Sequence, residues 1–510
     1  MFRTDAPPRP QQAGRRAWAG LAVLMLPVVL IAADNTVLSF AIPEISRAMN
    51  PSGTAVLWIV DVYSLVLAGL LVPMGSLGDR IGRRRLLMIG STGFGVVSIL
   101  AAFAPDAGTL IAARAILGFF GAMLMPATLS LIRNMFTDPT QRRTAIAVWA
   151  AGFSGGAALG PIAGGFLLEH FWWGSVFLMA VPVLVPLLLL APVFVPESKD
   201  PTPGPVDVVS ILLALLTMTP VVYGIKSAAV DGFGLLPLIA MAAGLFFGVL
   251  FVRRQLHQRT PMLQVRLFRN PVFSGALVAN LLSILSLVGF IFFLSQHLQL
   301  VAGMSPMDAG LAMLPGLAMT IVAGLAVVPV VRRIRPAYVV AGGLMLNAAG
   351  YAVVALVGHT GDVVGILAGF VLLGAGVGSA ETISNDLILS SVPAEKAGAA
   401  SAISETAYEL GAVLGTAILG SIVTAAYQAN VVLPNALTGP DRTAAAETLG
   451  GATQAAGSLP PQAAQSLLES AKAAFDSGIT TTAGIALVLM LAAAGIALAT
   501  LGRTGTSAGH

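Results

Sequence analysis

Five carboxylates stand inside long apolar runs: Asp34, Asp61, Glu381, Glu405 and Glu409. A carboxylate near the middle of a bilayer costs roughly 2.5–3.5 kcal/mol on insertion scales, so each is expected to be functional or neutralised. The chemistry open to them is reversible proton binding and attraction of a positive ligand. Glu405 and Glu409 are four residues apart and share a helix face. Two such acids repel unless one is protonated or a cation lies between them, which suits a site for either H+ or an organic cation. Asp34 lies 17 residues past Ala17, about 25 Å along a helix. Arg114 lies 5 residues past Thr109, at the opposite start of another run. The two are predicted to share a level and pair, either as a proton-sensitive switch or as a static ion pair. Asp61 follows Trp58, whose π face attracts cations. A cation vestibule is one reading and a wet outer mouth the other. Phe119 and Met123, with Phe290, Phe293 and Trp58, could line an adaptable apolar pocket, or simply pack. No metal site is expected, because His170, His257, His297 and His359 show no ligand spacing and the chain has no cysteine. There is no GxxxxGK[ST] loop for ATP. No cofactor is expected.

The elements that must position these residues are membrane helices. The chain is 56% hydrophobic and 10% charged, against about 25% charged in soluble domains. Repeated runs of 18 or more apolar residues give a polytopic all-α membrane protein. Barrel strands would alternate, and these runs do not. Fourteen spans are predicted: 17–42, 55–75, 86–104, 109–132, 144–168, 174–195, 206–226, 234–253, 271–295, 306–331, 337–357, 363–388, 398–427 and 478–501. With the N-terminus inside, 22 of the 27 Lys and Arg residues fall in inner segments. Arg47, Lys226, Arg442 and Lys472 fall outside, and Arg114 within the membrane. That bias places both termini in the cytoplasm and accounts for the basic pI without nucleic acid.

Residues 1–16 read as a cytoplasmic tail, 255–270 as an amphipathic cytoplasmic linker, and 428–477 as an extracellular loop with a helix in its second half that Gly478 stops. A slide of 256 residues brings Gly118 onto Gly374 and Gly155 onto Gly411. Such repeats mark secondary transporters. The division is then an N-terminal six-helix bundle over 17–195, two inserted helices over 206–254, and a C-terminal six-helix bundle over 271–501.

Glycine patterns sharpen this reading. Between spans two and three stand Gly75, Gly78, Asp79, Arg80, Gly82, Arg83 and Arg84. The glycines permit a tight turn, and Asp79 can pair with arginine. Span five carries Gly152, Gly156, Gly160-Pro161 and Gly164, a stripe that asks for a helix pressed against it. The first set resembles the loop 2–3 signature of the major facilitator superfamily. The second resembles its antiporter motif, and Arg114-x-x-x-Gly118-x-x-Gly121 resembles its span-four motif. Asp34-Asn35-Thr36-Val37 with Ala41-Ile42-Pro43, and Ser404 to Gly411, are similar to segments of the fourteen-span drug:H+ antiporter family. The second half keeps only Val331-Arg332-Arg333-Ile334-Arg335 where a second loop signature would stand.

The resemblance implies a proton-coupled multidrug exporter of a bacterial cytoplasmic membrane, working by alternating access as a monomer. Its substrates would be lipophilic cations such as dyes, quaternary ammonium compounds and fluoroquinolones. The alternative is an exporter of an endogenous metabolite, lipid or siderophore on the same fold. Enzyme chemistry is not expected, because Ser-His, His-Glu-x-x-His and Asp-Asp spacings are absent from the spans.

Overall fold

The computed structural model describes residues 13–199, 207–230, 234–258, 261–358, 361–392 and 397–502. Most of the expected tail at 1–16, the loop end at Lys396, His359 and Arg503 lie outside these residues.

Among the described residues, fourteen helices are long and apolar enough to cross a membrane. They are α1 (Arg15–Met49), α2 (Gly53–Ile81), α3 (Arg83–Ala102), α4 (Ala107–Met135), α5 (Pro139–His170), α6 (Ser175–Phe194), α7 (Val208–Val230), α8 (Leu235–His257), α9 (Pro271–Val301), α10 (Pro306–Val331), α11 (Pro336–Val357), α12 (Val363–Ser390), α13 (Ala400–Asn430) and α14 (Pro461–Leu501). The start of α1 and the end of α14 lie toward one face, the terminal face.

The helices form two like sets. In the first, α1 packs on α5 and α6, and α4 on α2 and α3. In the second, α9 packs on α13 and α14, and α12 on α10 and α11. The sets meet where α5 crosses α10, α2 crosses α13 and α1 touches α9. The inserted α7 and α8 pack on each other, and α7 also lies against α2 and the second half of α13. Small residues set these contacts. A Cβ at Gly118 would lie 2.5 Å from the Tyr63 carbonyl, and one at Gly374 would lie 2.2 Å from that of Gly316, so α4 on α2 and α12 on α10 are matched joints. The 256-residue echo is off by one elsewhere. Gly411 abuts Leu281 of α9, and its counterpart abutting α1 is Gly156, since Gly155 faces open space.

Two expected boundaries change. The loop between α13 and α14 holds short helices at Gly439–Glu447 and Leu449–Ala456. The helix expected at its end is instead continuous with the last span, giving the 41-residue α14. Gly478 does not stop it, because that glycine admits Val423 of α13, whose carbonyl would stand 3.0 Å from a Cβ there. In the linker, residues 255–257 still belong to α8, and the further helix among the described residues is the short 3-10 segment Val265–Arg269.

Candidate functional site

The terminal face is built around the turn between α2 and α3. Gly82 adopts φ of 112°, open to glycine at little cost, and lets the chain reverse into α3. Asp79 pairs with Arg83 at 2.7 Å. Gly75 packs beside Pro126, Gly78 beside Leu86, and Arg80 points outward. Glu197, just after α6, accepts the backbone N–H groups of Arg84 and Arg85 at 3.1 and 3.2 Å, so it caps α3. Arg84 donates to the Val195 carbonyl at 3.0 Å. The sequence reading missed Glu197. A lone acid in a Pro-Glu-Ser run after a span is its only signal. A cavity of about 380 Å3 runs inward from this turn, lined by Gly75, Asp79, Arg83, Arg133, Trp149 and Glu405.

Deeper in, α1 carries Asp34 against α4. Arg114 Nη1 donates to Asp34 Oδ2 at 2.8 Å, and Nε donates to the Ile59 carbonyl at 3.2 Å. The guanidinium also lies 4.5 Å from the centre of the Tyr63 ring. Arg114 is therefore satisfied by charge, carbonyl and ring together, as a buried cation must be. The glycine stripe holds α1 in place. Gly152 faces Met25, Gly156 faces Val29, Gly160 faces Ala33 and Thr36, and Gly164 faces Val37. Thr36 Oγ1 donates to the Ala157 carbonyl at 3.0 Å across this joint. Pro161 and Gly165 turn the other way, onto Gly310 and Met307 of α10.

The remaining acids divide. Glu409 is buried, its Oε2 has no hydrogen-bond partner, and Ser64 and Asn35 stand beside it. Glu405, one turn away, faces the large cavity and lies within electrostatic reach of both Glu381 and Glu409. Among the described residues none of these three acids has a basic partner within ion-pair distance. Tyr408, between the two glutamates in sequence, meets Phe153 edge-on at 5.7 Å, and Phe153 stacks with Trp149.

Asp61 departs from expectation. It does not sit in a wet mouth, because Lys226 Nζ is 2.9 Å from its Oδ2 and both side chains are buried. The charge bias puts Lys226 in an outer segment. It instead lies within α7, over the Trp58 ring at 4.2 Å. The expected apolar pocket is also dispersed. Phe119 is exposed on the bundle surface, Met123 is buried against Gly90 of α3, and Trp58 carries the lysine. Phe290 and Phe293 are locked in an aromatic cluster with Tyr351 and Phe370 inside the second set. Aromatics buried within one set fill its core and leave no room for a ligand.

On the opposite face the two sets and the loop helices are hydrogen-bonded together. Ser295 and Gln299 of α9 donate to the Ser39 and Phe40 carbonyls of α1 at 2.9 and 3.2 Å. Glu447, from the loop helices, accepts the Gly53 N–H at 3.1 Å. Tyr427 donates to the Ala445 carbonyl at 2.7 Å.

Two matched helix sets, a cavity at the terminal face and, among the described residues, acids without a basic partner define a multi-pass membrane transporter. Residues 24–416 match the Major Facilitator Superfamily, and the chain belongs to that family. It is a transporter of that superfamily and not an enzyme. It is 59% identical to the multidrug efflux pump LfrA of Mycolicibacterium smegmatis, over 94% of this chain and 95% of that one. It is 38% identical to the methyl viologen resistance protein SmvA of Salmonella typhimurium, over 93% and 97% of the two chains. Among solved structures it resembles a bacterial homologue of the lysosomal transporter Spinster in an inward-facing conformation. That match has a TM-score of 0.68 at 16% identity, covering 96% of this chain and 98% of that one, and concerns the fold alone.

Proposed function

We propose that this chain is a proton-coupled multidrug exporter of amphipathic organic cations in a bacterial cytoplasmic membrane, with both termini in the cytoplasm. The observation that carries this reading is Glu405, which lines a cavity at the terminal face, with Glu409 buried one turn away and neither acid in an ion pair among the described residues. Residues 17–195 and 271–501 act as the two moving bundles, and 206–254 as an insertion between them. A cation entering from the cytoplasm displaces protons from these acids and from Glu381. Rocking of the bundles about the α5–α10 and α2–α13 joints then opens the other face, where protons reload the acids. Proton and cation compete for one set of carboxylates, and that competition couples the two fluxes. Asp34 and Arg114 form the switch that senses the proton at the α1–α4 joint. The relatives named for multidrug efflux and for methyl viologen resistance support the substrate class.

The test is ethidium efflux from proteoliposomes under an imposed pH gradient. Accumulation against the dye gradient that collapses with the pH gradient is expected, and Glu409→Gln abolishes it. Transport that ignores the pH gradient would overturn the coupling. A second reading, export of an endogenous product, is favoured by 32% identity to the tetracenomycin C resistance and export protein of Streptomyces glaucescens.

A further inference from the structure

Lys226 is a buried cation for which the export cycle above has no use. It lies on the inserted helix α7, four residues before the helix ends at Val230. Its ammonium meets three groups of α2: Asp61 Oδ2 at 2.9 Å, the Leu57 carbonyl at 2.9 Å, and the Trp58 ring centre at 4.2 Å. A carboxylate, a carbonyl and an indole face arranged around one point are what an organic ammonium needs for binding. The contact with Asp61 is coulombic first and hydrogen-bonded second. A cation without N–H groups keeps the larger, coulombic share. Asp61 also lines a cavity of about 60 Å3 between the two bundles, with Asn35, Arg114, Tyr408 and Thr416. Thr416 begins a π-turn in α13, and its buried hydroxyl stands beside the Asp61 carboxylate. Such turns are frequent at functional sites.

We propose that Lys226 is a tethered occupant of an organic-cation subsite formed by Asp61 and Trp58. The positive centre of the substrate displaces the ammonium, and the freed lysine extends toward the nearby end of α7. Its four-carbon stem allows this, because a lysine near a helix end can place its head at the membrane surface. Displacement would also loosen α7 from α2 and α13, which makes the inserted pair part of the transport cycle. The identity of the displacing cation rests on the export reading.

The first experiment uses the wild-type chain in detergent, with tetraphenylphosphonium as the probe. Lys226 is fully buried, so it resists acetylation by acetic anhydride until the probe binds. Saturating probe is expected to raise its labelling several-fold by mass spectrometry. Bound probe with Lys226 still protected would overturn the proposal. The second experiment compares affinities. Lys226→Met removes the competitor and is expected to tighten probe binding by about tenfold. The chain has no cysteine, so Lys226→Cys can be labelled selectively. Attaching an aminoethyl group with a methanethiosulfonate reagent restores wild-type affinity, and attaching a methyl group does not. Unchanged affinity in folded Lys226→Met, or equal effects of the two reagents, would also sink the idea. A wild-type chain that pumps ethidium while Lys226 stays protected leaves the export reading standing. A wild-type chain that binds no organic cation removes the export reading itself.

Discussion

Adjacent glycines in α5 should respond oppositely to the same substitution. At Gly156 a Cβ would lie 2.6 Å from the Val29 carbonyl oxygen, 2.9 Å from Val29 Cα and 3.0 Å from Ala32 Cβ. Ordinary contact begins at 3.4 Å, so Gly156→Ala must widen the α1–α5 joint by the difference of 0.8 Å. The obstruction is backbone and cannot rotate away. Overpacking of this kind costs about 1–3 kcal/mol, against about 1 kcal/mol returned by the better helix propensity of alanine. Asp34 lies five residues beyond Val29 on α1. A shift of α1 on this scale disturbs the 2.8 Å contact of Asp34 with Arg114 of α4, because a hydrogen bond weakens steeply once its distance or angle departs from the ideal. At Gly155 nothing lies within 4 Å of a Cβ, so Gly155→Ala collects only the propensity gain. The assay pairs apparent melting temperature in detergent with ethidium efflux in proteoliposomes. Gly156→Ala should melt lower and pump poorly, and Gly155→Ala should melt no lower than wild type. If the two variants behave alike, the reasoning from helix approach is wrong.

Three further outcomes are expected. Asp34→Asn leaves Arg114 without its counter-charge and should abolish ethidium efflux while the protein remains in the membrane at normal abundance by immunoblot. Undiminished pumping would remove Asp34 from the coupling scheme. Glu197→Ala removes two N–H acceptors from the start of α3 and should cost about 1 kcal/mol, seen as a lower melting temperature that Glu197→Asp partly restores. Just before α7, burial by itself would raise the Asp207 carboxyl, but hydrogen bonds from Arg254, Ser210 and Gln258 outweigh it and hold the group well below the usual carboxylate range. A depressed value stabilises the fold fully above the ordinary 3.8 and loses that contribution as pH falls below it. Hydrogen exchange in α7 and α8 should therefore quicken on acidification below that point, and Asp207→Asn should show the quick exchange already at neutral pH.

The span count, the helical class and the Asp34–Arg114 pair were all legible in the residue order. Each follows from a cost that hydrocarbon imposes locally: an unpaired ion must find a counter-ion at its own depth, and depth is counted along a helix. The stripe from Gly152 to Gly164 likewise announced a close helix neighbour, because small residues at four-residue spacing have no other use in lipid. Which neighbour it takes was not written there, nor was the site of Lys226. A lysine four residues from a helix end reads as a surface anchor, and only the lateral docking of α7 on α2 turns it into the partner of Asp61. The same holds for Gly478, which reads as a stop and serves as a contact, and for Phe290 and Phe293, which read as a pocket and fill a core. Local pattern fixes what each helix must bury. Packing between distant helices decides what it is buried against, since that depends on shape and charge summed over elements far apart in the chain.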